Sequence, residues 1–422
     1  MTRRLASPRA AGLVVGIGGL AYISTVTQRS SLGVAALDAA NRFQTNAEQL
    51  ALLAVAQLFI YALMQIPVGL LLDRFGARAT LAFGAAAMAL GQVLVAFATE
   101  LGVAVTGRIF VGLGDAFTFI SMIRLVNGWY SGKTASQLQQ WLGNGGQVGQ
   151  LISAFPFAWY LHLAGWQSAF LAAAGVSVFC AAAAWFVVQD SPNPEAAHTK
   201  KLAIGVAVQN LRESMVLPST RMAFWTHFTL QSSSTTLLLL WGIPFLVEGE
   251  GLERPLALGV LSSFVFVGVA CGFFYGFVSG HRPHWRKGTL FGLVLAMTLG
   301  WAVVLLWPGP APLWALLFLA GTVGAAGPAS MIAFDYTKEF VPTYRLGSTN
   351  GFVNIGGFFA TFTMMFIVGL LLDSYYVLVG QPNGQTLYGL DGFRIALTSI
   401  PVIVWFGTWR YLINEGRTFA AR

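Results

Sequence analysis

The sequence predicts an all-α membrane protein of twelve transmembrane helices, arranged as two pseudo-symmetric six-helix bundles. Of the 422 residues, 56% are hydrophobic and only 9% are charged, whereas soluble domains carry about 25% charged residues. A transmembrane helix needs about 20 mostly apolar residues, so twelve helices fit this length and leave little for other domains. The uncharged stretch 166–188 is unlike the alternating pattern of an outer-membrane barrel.

Twelve apolar segments, bounded by charges or by Gly and Pro, follow one another along the chain. The predicted spans lie near residues 11–36, 48–72, 79–98, 101–126, 137–161, 166–188, 220–247, 255–280, 288–307, 312–336, 346–372 and 393–412. The predicted outer loops hold few cations: Arg42, Arg254 and Arg394. Cytoplasmic loops of membrane proteins are enriched in Lys and Arg, so we expect a multi-pass cell (inner) membrane protein with both termini cytoplasmic.

The two halves of the chain share short sequence matches. Ser121-Met122-Ile123 recurs as Ser330-Met331-Ile332, and Gly145-Gly146 recurs as Gly356-Gly357. These offsets are close to half the chain, which favours duplicated halves. We therefore predict an N-terminal six-helix bundle at 1–188, a cytoplasmic central loop with an interfacial helix at 189–219, and a C-terminal six-helix bundle at 220–422. Such parallel repeats place a ligand site near the bilayer midplane, around a central cavity.

The predicted loop after the second span combines one acid and two bases at a cytoplasmic edge. A charge-assisted latch can be formed here by Asp73, Arg74 and Arg78, with Gly76 permitting a tight turn. The alternative is that these cations are simply part of the positive charge that inner loops usually carry. The run from Gly69 resembles the Gly-x-x-x-Asp-Arg-x-Gly-x-Arg motif of the major facilitator superfamily. The twelve helices, the long central loop and the half-repeat agree with this resemblance over the whole chain. It implies alternating-access transport, with the two Arg and the Asp as gating residues.

Arg29 lies well inside the first predicted span, with Tyr22 near the same face. Charges inside spans are costly and usually functional, and the forked guanidinium suits a carboxylate, phosphate or nitrate. A structural pairing with an acid or a helix end is the alternative. The segment 28–35 is similar to the helix-1 element of the anion:cation symporters and the organophosphate:phosphate exchangers, with Ser31 where those branches have Asn. That similarity implies that Arg29 binds substrate.

Arg108 and Asp115 stand seven residues apart, two turns along one face of the fourth span. A buried acid beside an arginine can serve as a proton switch, and a structural salt bridge is the alternative. The spacing resembles the helix-4 Arg and Glu of the anion:cation symporters, in which the acid takes the coupling proton. The resemblance implies proton coupling through Asp115, tuned by Arg108.

Neutral polar side chains at helical spacing complete the predicted substrate site. His227 and Gln231 share a face of the seventh span, and Gln57 and Tyr61 share a face of the second. Hydrogen bonds that merely join helices are the alternative. The phosphate exchangers place a second Arg in helix 7, and this sequence has none there, which favours a monoanion over a phosphate ester.

Taken together, these residues predict proton-coupled uptake of a small organic anion, such as a carboxylate or sugar acid, by a monomer in the lipid bilayer. Transport of an inorganic anion such as nitrate is a further alternative. Proton-coupled efflux of a drug or metabolite is the alternative, although the helix-5 Gly-Pro of the drug-proton antiporters is absent. Enzyme motifs are absent, and Cys180 and Cys271 lie in apolar runs. We expect no catalysis, no metal, no cofactor and no nucleic-acid partner.

Overall fold

The computed structural model is all-α in every part that it describes, namely residues 8–130, 132–191, 204–281, 284–341, 346–379 and 388–420. The helices are α1 Pro8–Val34, α2 Ala36–Phe43, α3 Ala47–Phe97, α4 Leu101–Trp129, α5 Gly132–Ile152, α6 Ala158–Val187, α7 Ile204–Val216, α8 Pro218–Thr236, α9 Gly242–Pro244, α10 Arg254–His281, α11 Trp285–Leu305, α12 Leu313–Ala329, α13 Ile332–Phe340, α14 Leu346–Val379, α15 Leu390–Leu397 and α16 Ser399–Ala420. Three π-helical turns, Ser153–Phe157, Leu237–Trp241 and Phe245–Gly249, join successive helices. The predicted all-α membrane fold is confirmed.

Within the described residues, eleven helical stretches are long and apolar enough to cross a membrane. One of them, Gly145–Val187, is 43 residues long, about twice the length that one crossing requires. Gly165 has non-helical dihedrals inside this stretch, with φ +78°, and it separates the predicted fifth and sixth spans. Counting that stretch as two gives the twelve spans expected from the sequence.

Gly76 breaks the long helix α3 in the same way. Its φ of +81° lies in a region that residues with a Cβ avoid and glycine adopts freely. The break lies at the start of the apolar stretch Arg74–Phe97, which follows the stretch Ala47–Gln65. The glycine that the motif predicted at a tight turn therefore does interrupt the helix there.

Two compact units are present, and residues 32–58 belong to the second of them. Unit 1 comprises Met1–Ser31 and Phe59–Val206, and unit 2 comprises Leu32–Leu58 and Ala207–Arg422. The last residues of α1, all of α2 and the start of α3 therefore cluster with the second half of the chain.

Glycines bring α3 and α4 into close contact inside unit 1. Gly91 and Gly107 face each other, because a Cβ at either one would lie within 2.8 Å of the other's carbonyl oxygen. One heptad away in each helix, Gly84 and Gly114 form a second pair of the same kind. Small residues allow backbones to approach closely in transmembrane helix pairs. This seam occupies one face of α4, and the residues after Gly107 and Gly114 are Arg108 and Asp115.

In unit 2, α8 packs against α12, α13, α14 and α16. An ion pair and a helix cap hold the residues that precede 58 to the rest of this unit. Arg254 binds Asp38 and donates to the Val34 carbonyl at 2.8 Å. The Asp373 carboxylate accepts the backbone N–H groups of Ala47 and Glu48 at 3.0 and 2.8 Å, so an acid of α14 caps the N-terminus of α3.

Candidate functional site

A buried ion pair joins α1 to α4 in unit 1. Arg29 donates from Nε to Oδ2 of Asp115 and from Nη2 to Oδ1, each at 2.6 Å. The Asp115 side chain is fully buried, and that of Arg29 is 14% exposed. This is the bidentate geometry that makes guanidinium-carboxylate pairs strong. Losing one partner of such a pair leaves a buried charge and costs about 3–5 kcal/mol.

Arg108 lies beside this pair but directs its hydrogen bonds elsewhere. It is 2% exposed, and its Nη2 donates to the Arg29 carbonyl at 3.2 Å. Nη1 lies 3.5 Å from the Gln28 carbonyl and 3.4 Å from the Ser31 hydroxyl. That Arg108 tunes Asp115 stays a prediction. In the described residues Arg29 makes the hydrogen bonds to that carboxylate, and Arg108 binds the backbone of α1.

A neutral network continues along α1 beside Arg29. The Gln28 amide donates to Ser24 Oγ at 2.8 Å and to Ser177 Oγ at 2.7 Å. Both serines and Gln28 are buried, so this network joins α1 to α6 through side chains alone. Sequence analysis did not single out Ser177, because a serine in a long apolar helix carries no distinguishing pattern.

Two tyrosines predicted for the substrate site are buried in unit 1. The Arg29 guanidinium carbon lies 5.0 Å from the centre of the Tyr61 ring, a cation-π distance. Tyr22 is buried and packs against Phe119 with 5.5 Å between ring centres. The Tyr61 ring therefore covers part of the Arg29 guanidinium.

Gln57, also predicted for the substrate site, belongs to unit 2 and is one helical turn before Tyr61 in the sequence. Both polar atoms of its buried amide are without a hydrogen-bond partner in the described residues. A buried amide that lacks partners is costly, which marks the position as a polar group available to a ligand or to water.

Gln92 shares this property with Gln57 and was not predicted. Its side chain is fully buried in α3, and neither atom of its amide is hydrogen-bonded within the described part of the chain. Burying the Gln92 amide without hydrogen-bond partners is therefore also costly in free energy. The only signal in the sequence was an isolated Gln in an apolar span.

In unit 2, His227 and Gln231 meet through Ser330, which follows α12. The Ser330 hydroxyl donates to Gln231 Oε1 at 3.0 Å, and the Ser330 carbonyl lies 3.4 Å from His227 Nδ1. A carbonyl only accepts, so Nδ1 carries the proton in this contact. Asn354 approaches the same imidazole, but His227 Nε2 has no hydrogen bond among the described residues. We call His227, Gln231 and Ser330 the α8 polar group.

Gly357 of α14 leaves the space that the side chains of the α8 polar group occupy. A Cβ at this position would lie 2.7 Å from His227 Cδ2 and 3.0 Å from Gln231 Cβ. Any larger residue at 357 would therefore displace both side chains. The two residues predicted as neighbours on one helical face do come together, and the serine and the glycine that fix them come from distant segments.

The predicted gating segment packs against the end of α6 within unit 1. Arg78 donates through Nε to the Trp185 carbonyl at 2.6 Å, and its backbone N–H donates to Asp190 Oδ1 at 2.7 Å. A Cβ on Gly76 would collide with the same Asp190 carboxylate. Arg74 is exposed and lies over the Phe75 ring. The side chain of Asp73 lies outside the described residues.

Comparison with known proteins places these features in a family. The family model described as Major Facilitator Superfamily matches residues 18–365. The probable galactarate/D-glucarate transporter GudP of Escherichia coli K12 is 24% identical over 391 residues, covering 82% of each chain. The D-galactonate transporter of Escherichia coli O6:H1 is 21% identical over 414 residues, covering 92% of this chain and 91% of its own.

Solved structures agree on the fold. A bacterial homolog of the human lysosomal transporter Spinster, described as inward-facing and unoccupied, superposes with a TM-score of 0.78 over 99% of both chains at 17% identity. A mutant form of the nucleoside transporter NupG gives a TM-score of 0.74 at 12% identity, covering 95% of this chain and 99% of its own.

Proposed function

Because the chain belongs to the major facilitator superfamily, we propose that it is a secondary active transporter that carries a sugar acid into the cell together with a proton, by alternating access. As a member of this family it is a multi-pass membrane transporter and not an enzyme, and the named relatives support small organic anions as its substrates. We propose in addition that the substrate is a sugar acid, that the coupling ion is a proton, that transport is inward, and that both termini lie in the cytoplasm.

Relatives named for galactarate, D-glucarate and D-galactonate support the sugar-acid class, because they match this chain over most of its length. All three compounds carry a carboxylate beside a row of hydroxyls. A site for them needs a forked cation for the carboxylate and neutral donors and acceptors for the hydroxyls. Arg29 is such a forked cation, and His227 and Gln231 are such neutral groups.

The bidentate contact between Arg29 and Asp115 is the observation that carries the coupling mechanism. While Asp115 is ionised, it occupies the two donors of Arg29 that a substrate carboxylate needs. A proton on Asp115 removes the charge that holds the guanidinium, and a substrate carboxylate can then replace it. Proton and substrate therefore favour the same carrier form, which is the condition for their coupling.

The other predicted residues take supporting roles in this proposal. Tyr61 and Tyr22 shield Arg29 from water, which strengthens its interaction with a carboxylate. Arg108 holds the α1 backbone at the carbonyls of Gln28 and Arg29. The residues that bind hydroxyls of the substrate are Gln57, His227 and Gln231. The residues that gate the cytoplasmic side, as the loop at Gly76 moves, are Asp73, Arg74 and Arg78.

Transport by proteoliposomes containing Asp115→Asn tests the coupling. Asparagine resembles the protonated acid, so this variant should exchange labelled D-galactonate for unlabelled D-galactonate across the membrane. It should no longer accumulate the compound when a pH gradient is imposed. Arg29→Lys should lose both activities, because a single ammonium does not reproduce the fork. Arg417→Lys, at an exposed site in the last helix, is the matched control and should behave as the unmodified protein.

Accumulation by Asp115→Asn under a pH gradient would exclude Asp115 as the proton carrier. Unchanged uptake in Arg29→Lys would exclude Arg29 as the carboxylate ligand. Absence of exchange with every sugar acid, in a protein that remains folded, would overturn the substrate class itself.

A further inference from the structure

Unit 2 presents an arginine held between aromatic rings at the membrane edge where α8 begins. We propose that this surface binds the headgroup phosphate of one anionic phospholipid, with Arg410 as the main phosphate ligand and Arg221 as a second cation. We call Arg221, Trp225, Trp409 and Arg410 the headgroup site. The acyl chains of the bound lipid lie along the exposed apolar face of α16.

The two arginines mark the ends of the apolar parts of their helices. No Asp, Glu, Lys or Arg occurs at 222–247, after Arg221, or at 395–409, before Arg410. Trp225 follows Arg221 by one helical turn, and the Arg410 guanidinium carbon lies 5.3 Å from the centre of the Trp225 ring. Both arginines therefore stand at the same edge of the membrane. Lipid phosphates lie just outside the hydrocarbon core, where Trp side chains are also enriched.

The guanidinium of Arg410 is held by rings and not by an acid. Its carbon lies 5.3 Å from the centre of the Trp225 ring and 5.8 Å from that of Trp409, both cation-π distances. Among the described residues the Arg410 side chain makes no ion pair or hydrogen bond, and its Nε is buried. Rings cover the face of a guanidinium, whereas its N–H donors point outward in its plane. Arg410 thus keeps donors for a phosphate.

Neighbouring cations of unit 2 differ from Arg410 in having acidic partners. Arg286 pairs with Glu339 at 3.0 Å, and Lys287 pairs with Glu415 at 2.9 Å. Glu415 is the acid nearest to Arg410 in α16, and it is already bound to Lys287. An arginine at a membrane edge without an acid is available to anionic lipid, which attracts such cations.

Arg221 places a second cation beside the same tryptophan. Its Nε donates to the Met215 carbonyl at 3.0 Å, near the C-terminus of α7, and this contact uses one of its five N–H donors. No acid of the described chain pairs with it. A phosphate has several acceptor oxygens, so one headgroup can accept from both Arg221 and Arg410.

Gly407 allows α16 to pack closely enough against α8 to form the aromatic part of the site. A Cβ there would lie 2.5 Å from Thr229 Oγ1 and 2.7 Å from Phe228 Cδ1. This close approach sets the Trp225 ring edge-on to Phe406, with 5.5 Å between ring centres. A larger residue at 407 would separate the two helices at the headgroup site.

The exposed face of α16 beside Arg410 is apolar, which identifies the ligand as a lipid. Its exposed side chains are Val402, Trp405, Phe406, Trp409 and Leu412. This face continues from Trp409 toward Val402, into the apolar part of the helix. A cation at one end of an apolar strip matches a molecule with an anionic head and long acyl chains. A free phosphate would leave the strip uncovered.

Lipid retention measured by native mass spectrometry tests the proposal. The purified protein is mixed with phosphatidylglycerol or phosphatidylcholine of the same acyl chains, so that the two probes differ in headgroup charge. The unmodified protein should bind one phosphatidylglycerol at least about tenfold more tightly than phosphatidylcholine, because hydrogen bonds between charged groups contribute that much. Arg410→Gln should abolish this preference. Arg417→Gln removes the same charge from an exposed position of the same helix and, as the matched control, should keep it.

Salt separates a site from general attraction of anionic lipid to a basic surface. Phosphatidylglycerol should raise the melting temperature of the unmodified protein more than phosphatidylcholine does. Most of this difference should persist at about 1 M salt, where the Debye length is about 3 Å, since the phosphate contacts a partly buried guanidinium. Loss of the whole difference at this salt concentration would overturn the site.

Three further outcomes would also overturn the proposal. Equal binding of the two lipids by the unmodified protein would show that the headgroup charge is not recognised. Equal loss of preference in Arg410→Gln and Arg417→Gln would show that only the summed surface charge matters. Displacement of phosphatidylglycerol by inorganic phosphate would show a site for a free anion.

A second copy of the chain is the other possible occupant of this face. A dimer by light scattering that Arg410→Gln dissociates, without any lipid preference, would assign the face to that copy and overturn the lipid. If Arg410→Gln does not remain folded, Arg410→Lys keeps the charge without the fork and should weaken the preference. These measurements need no transported substrate, so their failure is distinct from failure of the proposed function.

Discussion

Nη2 of Arg108 donates to the backbone carbonyl of Arg29 at 3.2 Å, so one buried cation holds the main chain of the other. The side chain of Arg29 is thereby left to Asp115. The two arginines consequently have different roles in the proposed mechanism: Arg29 exchanges Asp115 for substrate, and Arg108 keeps the turn of α1 that carries Arg29 in place.

We expect Arg108→Lys to impair substrate binding while leaving the proton site intact. Lysine keeps the charge but cannot reach two carbonyls and the Ser31 hydroxyl at once, so Arg29 loses its position. The KM for D-galactonate should rise about tenfold or more, with little change in the dependence of uptake on pH. Buried carbonyls left without donors should lower the free energy of unfolding by about 1–3 kcal/mol. An unchanged KM would contradict this positioning role.

The glycine seam between α3 and α4 predicts opposite effects for two Gly→Ala substitutions on one helix. Gly114→Ala places a methyl group against the Gly84 carbonyl and the Met88 backbone, and overpacking of this kind costs about 1–3 kcal/mol. Because Asp115 is the next residue, uptake should also fall. Gly102→Ala, where no atom lies within 4 Å of the added Cβ, should be neutral or stabilising by up to about 1 kcal/mol.

Thermal unfolding in detergent, together with uptake, measures both variants. Equal melting temperatures for Gly114→Ala and Gly102→Ala would show that α3 and α4 are not in the close contact described above.

The cap that Asp373 forms on α3 predicts a stability loss without loss of the ion pair at Arg29. Asp373→Ala removes the acceptor for the Ala47 and Glu48 N–H groups and should cost about 1–2 kcal/mol. Ser374→Ala, at the adjacent exposed residue, is the control and should change the melting temperature little. Hydrogen exchange of the first turn of α3 should increase in Asp373→Ala, and unaltered exchange there would argue against the cap.

Glu250 predicts a specific pH dependence of stability. Burial raises the pKa of its carboxyl above the ordinary value, and the Ala311 N–H and Arg394 oppose this only in part. The folded protein therefore binds the proton more tightly than the unfolded chain does. The stability that this group contributes is present at low pH and declines as pH rises from the ordinary Glu pKa through the raised one.

Glu250→Gln keeps an acceptor for the Ala311 N–H and removes the titration. Relative to the unmodified protein, this variant should become progressively more stable as pH rises above the ordinary Glu pKa of about 4.3. Melting temperatures of the two proteins, measured at a series of pH values from the ordinary Glu pKa of about 4.3 upward, give the difference. Parallel curves would mean that Glu250 titrates alike in the folded and unfolded states.

Much of the architecture was predictable because its causes are local in sequence. Apolar runs of spanning length predicted the helices, and Gly76 predicted the turn that its positive φ confirms. The half-repeat and the motif at 69–78 predicted the family. Hydropathy and helical periodicity depend on neighbouring residues, which is why these features can be read without coordinates.

The arrangement of the candidate site depended on contacts that no local pattern encodes. The sequence placed Arg29, Arg108 and Asp115 inside spans. Because Arg108 and Asp115 share a helix face, the sequence suggested an interaction between these two side chains. The partner of Asp115 is instead 86 positions away, since the glycine seam orients α4 and Arg108 is occupied by the α1 backbone. Ser330, which contacts both His227 and Gln231, likewise comes from a segment distant in the chain.

The sequence by itself thus determined an all-α, twelve-span membrane protein and the residue types available for anion binding. Tertiary structure decided which charges meet, which polar groups stay unpaired, and that 32–58 packs with the second half of the chain. Helix formation and membrane insertion follow from the composition of each segment, whereas pairing of buried polar groups follows from how segments distant in the chain pack against one another.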